Sequence, residues 1–162
     1  MKRRGSVAIS ACLLMALIAQ AAPFQRPDHQ APAPSDAWDR MKSTIEGYLG
    51  KPYAWGGTGL KSFDCSGFVW RVMADHGMLI KRTTARRLYF LLAKPAEGDS
   101  LKPGNIVFFN QLKHCGIVND GETFYHAQSS KGTNLSRFSP FWRSQIVGFR
   151  CLTLEKPDNG KK

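Results

Sequence analysis

The hydrophobic period of this chain changes once, near residue 100. That change restricts it to folds in which helices come first and a sheet second. Before it, Trp38, Met41, Ile45, Tyr48 and Leu49 recur at helical spacing, with Ser35 as a candidate N-cap and Gly50 ahead of Lys51-Pro52 as a stop. A second helical stretch places Phe68, Val69, Val72 and Met73 on one face and stops at Gly77. A third, short helix is predicted over 85–92, capped by Thr83 or Thr84. After Pro103-Gly104 the pattern alternates. It predicts strands over 106–109, 114–118 and 123–127, and a last one over 146–154. Helices followed by antiparallel strands read as an α+β fold.

The two ends stand apart from this pattern. Lys2, Arg3 and Arg4 precede an apolar run over 7–19, and Ala19-Gln20-Ala21 supplies a small-x-small site, so 1–21 reads as a secretory signal peptide cut after Ala21. The run is short for a bilayer span, so no stable membrane insertion is expected once the leader is gone. Cys12, after Ile9-Ser10-Ala11, leaves a lipoprotein signal as the minor alternative. Residues 22–35, with Pro23, Pro27, Pro32 and Pro34, read as a linker, and 155–162 as a charged tail, bounding a domain over 36–154. The formal charge of +11 falls to +8 without the three leader cations. For an exported chain, a basic surface points to an anionic envelope polymer rather than to nucleic acid.

Cys65, in Asp64-Cys65-Ser66-Gly67, falls where a glycine-rich loop, Trp55-Gly56-Gly57-Thr58-Gly59, meets the second helix. A thiol there faces unpaired N–H groups and the positive end of the helix dipole, which favour the thiolate. The alternative is an inert core cysteine, but Asp, Ser and Gly neighbours are poor core material.

A nucleophilic thiol needs a base. Of four histidines, His29 lies in the linker and His76 at a helix end, whereas His114 and His126 flank one predicted hairpin. With a three-residue loop, Asn119-Asp120-Gly121, and Gly121 left-handed, His114 faces His126 directly. A two-residue Asp120-Gly121 loop would pair His114 with Ala127 and send His126 to the other face. Both registers remain open from sequence. Cysteine and histidine also bind zinc, but no C-x-x-C or H-E-x-x-H spacing is present, and adjacent strand residues His114 and Cys115 point apart. No metal and no cofactor is expected.

Taken together, Pro52-Tyr53-Ala54-Trp55-Gly56-Gly57, Asp64-Cys65-Ser66-Gly67-Phe68-Val69, Arg82-Thr83-Thr84, Pro103-Gly104-Asn105-Ile106-Val107-Phe108-Phe109, His114-Cys115-Gly116-Ile117 and Phe124-Tyr125-His126-Ala127 resemble the NlpC family of papain-like cell-wall endopeptidases. The resemblance implies a papain-like fold, with Cys65 as nucleophile at a helix start, His114 as base and His126 as its orienting partner. It further implies that Tyr53, Asp64 and Ser66 contact substrate. The implied substrate is peptidoglycan or muropeptides, cut after γ-D-glutamate and before diaminopimelate or lysine. Two positions depart from the family pattern: Asn105 stands where Asp is usual, and Cys115 where an aliphatic residue is usual. Arg86 and Arg87 read as solvated charges.

A related amidase or acyltransferase on the same scaffold, and a non-catalytic wall-binding module, are the competing readings. The protein is expected to act as a monomer. Without the leader three cysteines remain, and the only bridge that spares Cys65 joins Cys115 to Cys151. Strand alternation would turn Cys115 away from the face His114 occupies. The competing reading makes both small core residues.

Overall fold

The computed structural model describes residues 34–59 and 61–152. The expected leader, residues 22–33 of the linker and the charged tail lie outside the described residues. Helix α1 (Pro34–Gly47) contains Ser35 rather than being capped by it. It buries Ile45 completely, and Gly50, with φ of 77°, turns the chain out of it. A two-stranded ribbon, β1 (Thr58–Gly59) and β2 (Ser62–Phe63), then leads directly into α2 (Cys65–Asp75). The Asp64 side chain caps α2, and Gly77, with φ of 80°, marks its exit as the sequence predicts. Helix α3 (Ala85–Leu91) is capped by Thr84. Among the described residues no helix is long and apolar enough to cross a membrane.

The sheet is antiparallel throughout. Its strands are β3 (Ile106–Phe109), β4 (His114–Val118), β5 (Thr123–Gln128), β6 (Gly132–Arg137) and β7 (Ile146–Arg150), in the order β6-β5-β4-β3-β7. A five-residue helix, α4 (Pro140–Ser144), links the two edge strands. Strand β3 is buried along its whole length because both faces are covered. On one face Ile106, Phe108, Cys115, Ile117, Tyr125 and Ala127 meet Phe68, Val69, Val72 and Met73 of α2. On the other, Val107, Phe109, Val118 and Phe124 pack with Phe138 and Trp142. Fully burying a side chain such as Phe68 contributes about 2–3 kcal/mol, so α2 is held against the sheet chiefly by its apolar stripe.

The β4–β5 hairpin takes neither register considered from sequence. Its loop is Asp120-Gly121-Glu122, closed by Asn119 N–H donating to the Thr123 carbonyl at 3.0 Å, and Val118 pairs with Phe124. The cause is Asp120: its carboxylate accepts from the Glu122 and Thr123 N–H groups at 2.8 and 2.7 Å, so the turn forms without a left-handed Gly121. The shift from the three-residue expectation is two residues. An even slip keeps every side chain on its face, so His114 and His126 still share one.

Strand β6 and helix α4 have no counterpart in the sequence reading. Residues 132–137 are mostly polar, and only one side of this edge strand is covered. Helix α4 is too short to carry a period. Strand β7 ends at Arg150, four residues before the expected Leu154.

The start of α2 is locked onto the loop before it. A Cβ added at Gly67 would run into the Gly57 carbonyl oxygen. Gly67→Ala is therefore expected to destabilise the domain by at least ~2 kcal/mol, read as a lower urea midpoint with unchanged slope.

Candidate active site

Asp64 organises the approach to Cys65. One carboxylate oxygen accepts from the Gly67 N–H at 2.6 Å and the Ser66 hydroxyl at 3.0 Å, and the other from the Gly56 N–H at 2.8 Å. Arg82 Nη2 donates to both oxygens at 2.7 Å, and Arg82 Nη1 reaches Ser66 Oγ at 3.1 Å. One buried anion thus joins the glycine-rich loop, the first turn of α2 and the segment entering α3. Cys65 opens the helix, so its N–H belongs to the first-turn donors that lack an intrahelical acceptor.

His114 reaches the thiol from the end of the sheet. Between β3 and β4, Asn110, Gln111 and Leu112 hold φ of 48°, 53° and 67°, three consecutive left-handed residues without a glycine. Such backbone is strained and is retained where the surroundings over-determine it. Here the Asn110 N–H donates to the Gln145 carbonyl and the Lys113 N–H to the Asn110 carbonyl, both at 2.9 Å. The turn brings the Lys113 carbonyl to 3.8 Å from Cys65 Sγ and delivers His114 beside it.

Hydrogen bonding to Cys115 and to His114, together with the His114 charge, brings the Cys65 thiol down to about 5, against burial, which pushes it up. Burial pushes the Cys115 thiol well above its ordinary value, so Cys115 keeps its proton. The expectation that Cys115 turns away from the site is therefore corrected. It does lie on the opposite sheet face from His114, but α2 packs on that face and Cys65 lies against it. Thiol and imidazole meet at the strand end rather than across one face.

Cys65, Cys115 and Cys151 are all free, so of the two readings left open for Cys115 and Cys151 the bridge is not the one formed. Cys115 is level with Phe108, which is level with Gly148, so a whole strand separates it from β7. Two strand spacings are ~9.5 Å, beyond the ~7 Å limit for a bridge. Cys151 instead lines a separate cavity with Trp38 and Met41.

His114 Nε2 lies 2.8 Å from His126 Nδ1. His126 is fully buried, and burial, then the charge of His114, brings its value down to about 3, so it stays neutral. Trp142 of α4 stacks on His114, with ring centroids 5.5 Å apart and planes 26° apart. His126 Nε2 lies 2.9 Å from Ser136 Oγ. Trp142 and Ser136 escaped the sequence reading because they sit on the two elements it lacked. The spare histidine of α2, His76, bonds Thr44 of α1 at 3.1 Å, the structural role its position suggests.

Two cavities open at the site, one at the thiol and one at His114. One, of about 440 Å³, is lined by Tyr53, Trp55, Asp64, Cys65, Ser66 and Arg82; the other, of about 330 Å³, by Tyr53, Lys113, His114, Gln128 and Trp142. Tyr53 borders both, and burial and the Cys65 charge push its hydroxyl up, so it remains a neutral donor. Among the described residues no three His, Cys, Asp or Glu side chains cluster as a metal site requires.

The family model described as the NlpC/P60 family covers residues 50–151. The chain belongs to the NlpC/P60 family. It is 32% identical over 114 residues to a probable peptidoglycan endopeptidase, LytE, of Bacillus subtilis, covering 67% of this chain and 33% of that protein. It is 32% identical over 117 residues to murein DD-endopeptidase MepH of Escherichia coli, covering 67% and 43%. A lipoprotein-like NLP/P60 family structure from Staphylococcus aureus superposes with a TM-score of 0.65 at 25% identity, covering 76% of this chain and 44% of that one. The α+β papain-like fold is thus that of the family. The chain spans between a fifth and a half of the length of the curated relatives it matches.

In this NlpC/P60 domain Asp64 is nearly inaccessible, with 9% of its side chain exposed. An amide there would turn an N–H toward the Arg82 or Gly56 donors. Asp64→Asn is expected to lower stability by about 3 kcal/mol, the scale of breaking a buried ion pair from one side. Chemical denaturation of both proteins at neutral pH measures it.

Proposed function

We propose that this domain is an exported cysteine endopeptidase that hydrolyses peptidoglycan stem peptides. Cys65 is the nucleophile, His114 the general base and acid, and His126 the residue that orients His114. The observation that carries the reading is the arrangement of the site: Cys65 opens α2 beside His114, which bonds His126 at 2.8 Å, with one cavity at the thiol and another at the imidazole. Family membership supports the polymer, and the basic first residues with the apolar run after them support export.

The chemistry follows from the geometry. The Cys65 thiolate attacks the amide carbonyl, and the developing oxyanion takes the Cys65 N–H at the start of α2. His114 protonates the departing amine, leaving a thioester, then draws a proton from water to release the acid. Because His114 must reach the leaving nitrogen, the amine side of the substrate occupies the cavity it lines. The acyl side occupies the cavity of Tyr53, Asp64 and Ser66. The bond is taken to be that between γ-D-glutamate and diaminopimelate or lysine. The name of the MepH relative favours a second reading, the DD bond of a cross-link.

Digestion of muropeptide monomers and cross-linked dimers by the purified mature chain, with mass spectrometry of products, tests the function. Monomers cut after D-glutamate fit the first bond, and dimers reduced to intact monomers fit the second. Cys65→Ala is expected to abolish either cleavage, His114→Ala to be almost as damaging, and His126→Ala to be milder. Undiminished cleavage by Cys65→Ala would refute the mechanism.

A further inference from the structure

Four side chains on three strands form one hydrogen-bonded line that ends at the candidate base. His126 on β5 pairs across the ladder with Asn134 of β6, and Phe124 pairs with Ser136. Asn134 and Ser136 therefore stand on the same face as His126, on its far side from His114. The spacings along the line are 2.8 Å from His114 Nε2 to His126 Nδ1, 2.9 Å from His126 Nε2 to Ser136 Oγ, and 2.9 Å from Ser136 Oγ to Asn134 Oδ1. The line is anchored at its outer end, where Asn134 Nδ2 donates to the Gly132 carbonyl at 2.8 Å.

That anchor gives the line a direction. A backbone carbonyl accepts only, so the Asn134 amide must turn its Nδ2 toward Gly132 and its Oδ1 toward Ser136. The Ser136 hydroxyl then spends its single proton on Asn134 and presents a lone pair to His126. A lone pair at Nε2 requires the N–H of His126 to be there, which leaves Nδ1 bare. A bare Nδ1 accepts, so His114 donates from Nε2. The nitrogen of His114 left without a proton, and so able to take one from Cys65, is Nδ1.

We propose that Ser136 and Asn134 are positioning residues that set the tautomer of His114, holding its proton on Nε2 and leaving Nδ1 free for Cys65. This rests on reading His114 as the base. Burial supports it from a second direction, because a neutral His126 can donate from only one nitrogen. No carboxylate takes part; the acceptor at the end of the line is an amide oxygen, which stays an acceptor at every working pH.

The groups facing the two rings are few. His114 meets Cys65 of α2, Phe109 of β3, Trp142 of α4 and its neighbour Lys113. His126 meets Phe124, Trp142 and the charge of Lys131, besides the residues of the line. Among these, only Ser136 and Asn134 offer His126 Nε2 an acceptor.

Nitrogen NMR of the full mature chain, labelled with ¹⁵N-histidine, reads the tautomer directly. Measurement in a Cys65→Ala background leaves His114 no thiol proton to take. The expected result is a His114 ring protonated at Nε2, and a mixture of tautomers once Ser136→Ala is added. With Cys65 intact, Ser136→Ala should lower kcat about fivefold at unchanged KM, roughly the value of one neutral hydrogen bond. Ser136→Thr, which keeps the hydroxyl, should restore both signals. If Ser136→Ala does not fold, Asn134→Ala carries the same test with the same direction of change. A His114 that is protonated at Nδ1 in the parent, or that stays wholly at Nε2 after the substitution, would overturn the proposal. The tautomer is read without substrate, so a failure to cut muropeptides would be a separate result.

Discussion

The Asp64 carboxylate is the contact on which the rest of the site depends. Three backbone or hydroxyl donors and one guanidinium converge on it, from three separate parts of the chain. Gly56 is in the loop, Ser66 and Gly67 are in the first turn of α2, and Arg82 precedes α3. Placing an anion at the helix start favours the cap through the dipole, while Arg82 offsets its charge so that it does not oppose the thiolate next door. The glycines follow from this packing. Gly57 and Gly67 approach too closely for a side chain at the second of them. The loop thus lies directly against the turn of α2 that carries Cys65.

The sheet makes the complementary contribution. It divides the site between its two faces: the Cys115 face receives α2 and the sulfur, and the other carries both histidines beneath Trp142. The two halves join only at the start of β4, where the left-handed turn at Asn110, Gln111 and Leu112 ends. Gly116 sits beneath this arrangement. A Cβ there would come to 2.6 Å from the Tyr125 carbonyl oxygen and 3.2 Å from the His126 Cβ, so its absence lets β5 carry His126 close in. Strand spacing, rather than any single strong contact, sets the distance between the imidazoles.

Much of this was legible in the residues themselves. Asp64-Cys65-Ser66-Gly67 reads as the place where the glycine-rich loop hands over to the second helix, and the structure opens α2 at Cys65. Of the two hairpin registers left open, the three-residue one put His114 and His126 on one face, and they share it in the structure because the observed hairpin differs from that register by an even slip. Three features were not legible. That Cys115 lies against Cys65 follows from which sheet face α2 covers, a tertiary choice that strand alternation cannot express. Strand β6 hides its role because Asn134 and Ser136 are ordinary surface types until His126 is placed beside them. Helix α4 carries Trp142 on five residues, fewer than two turns, so no period marks it. The absent Cys115–Cys151 bridge has a related cause, since strand order, not sequence distance, decides which cysteines can meet.

The central claim is that this scaffold holds Cys65 as a thiolate before any substrate arrives. Alkylation of the intact mature protein by iodoacetamide across a range of pH, with the modified residue located by mass spectrometry, tests it most directly. The account predicts that Cys65 reacts with a midpoint near pH 5, well ahead of Cys115. A midpoint near ~8.5, that of a free cysteine, would contradict it.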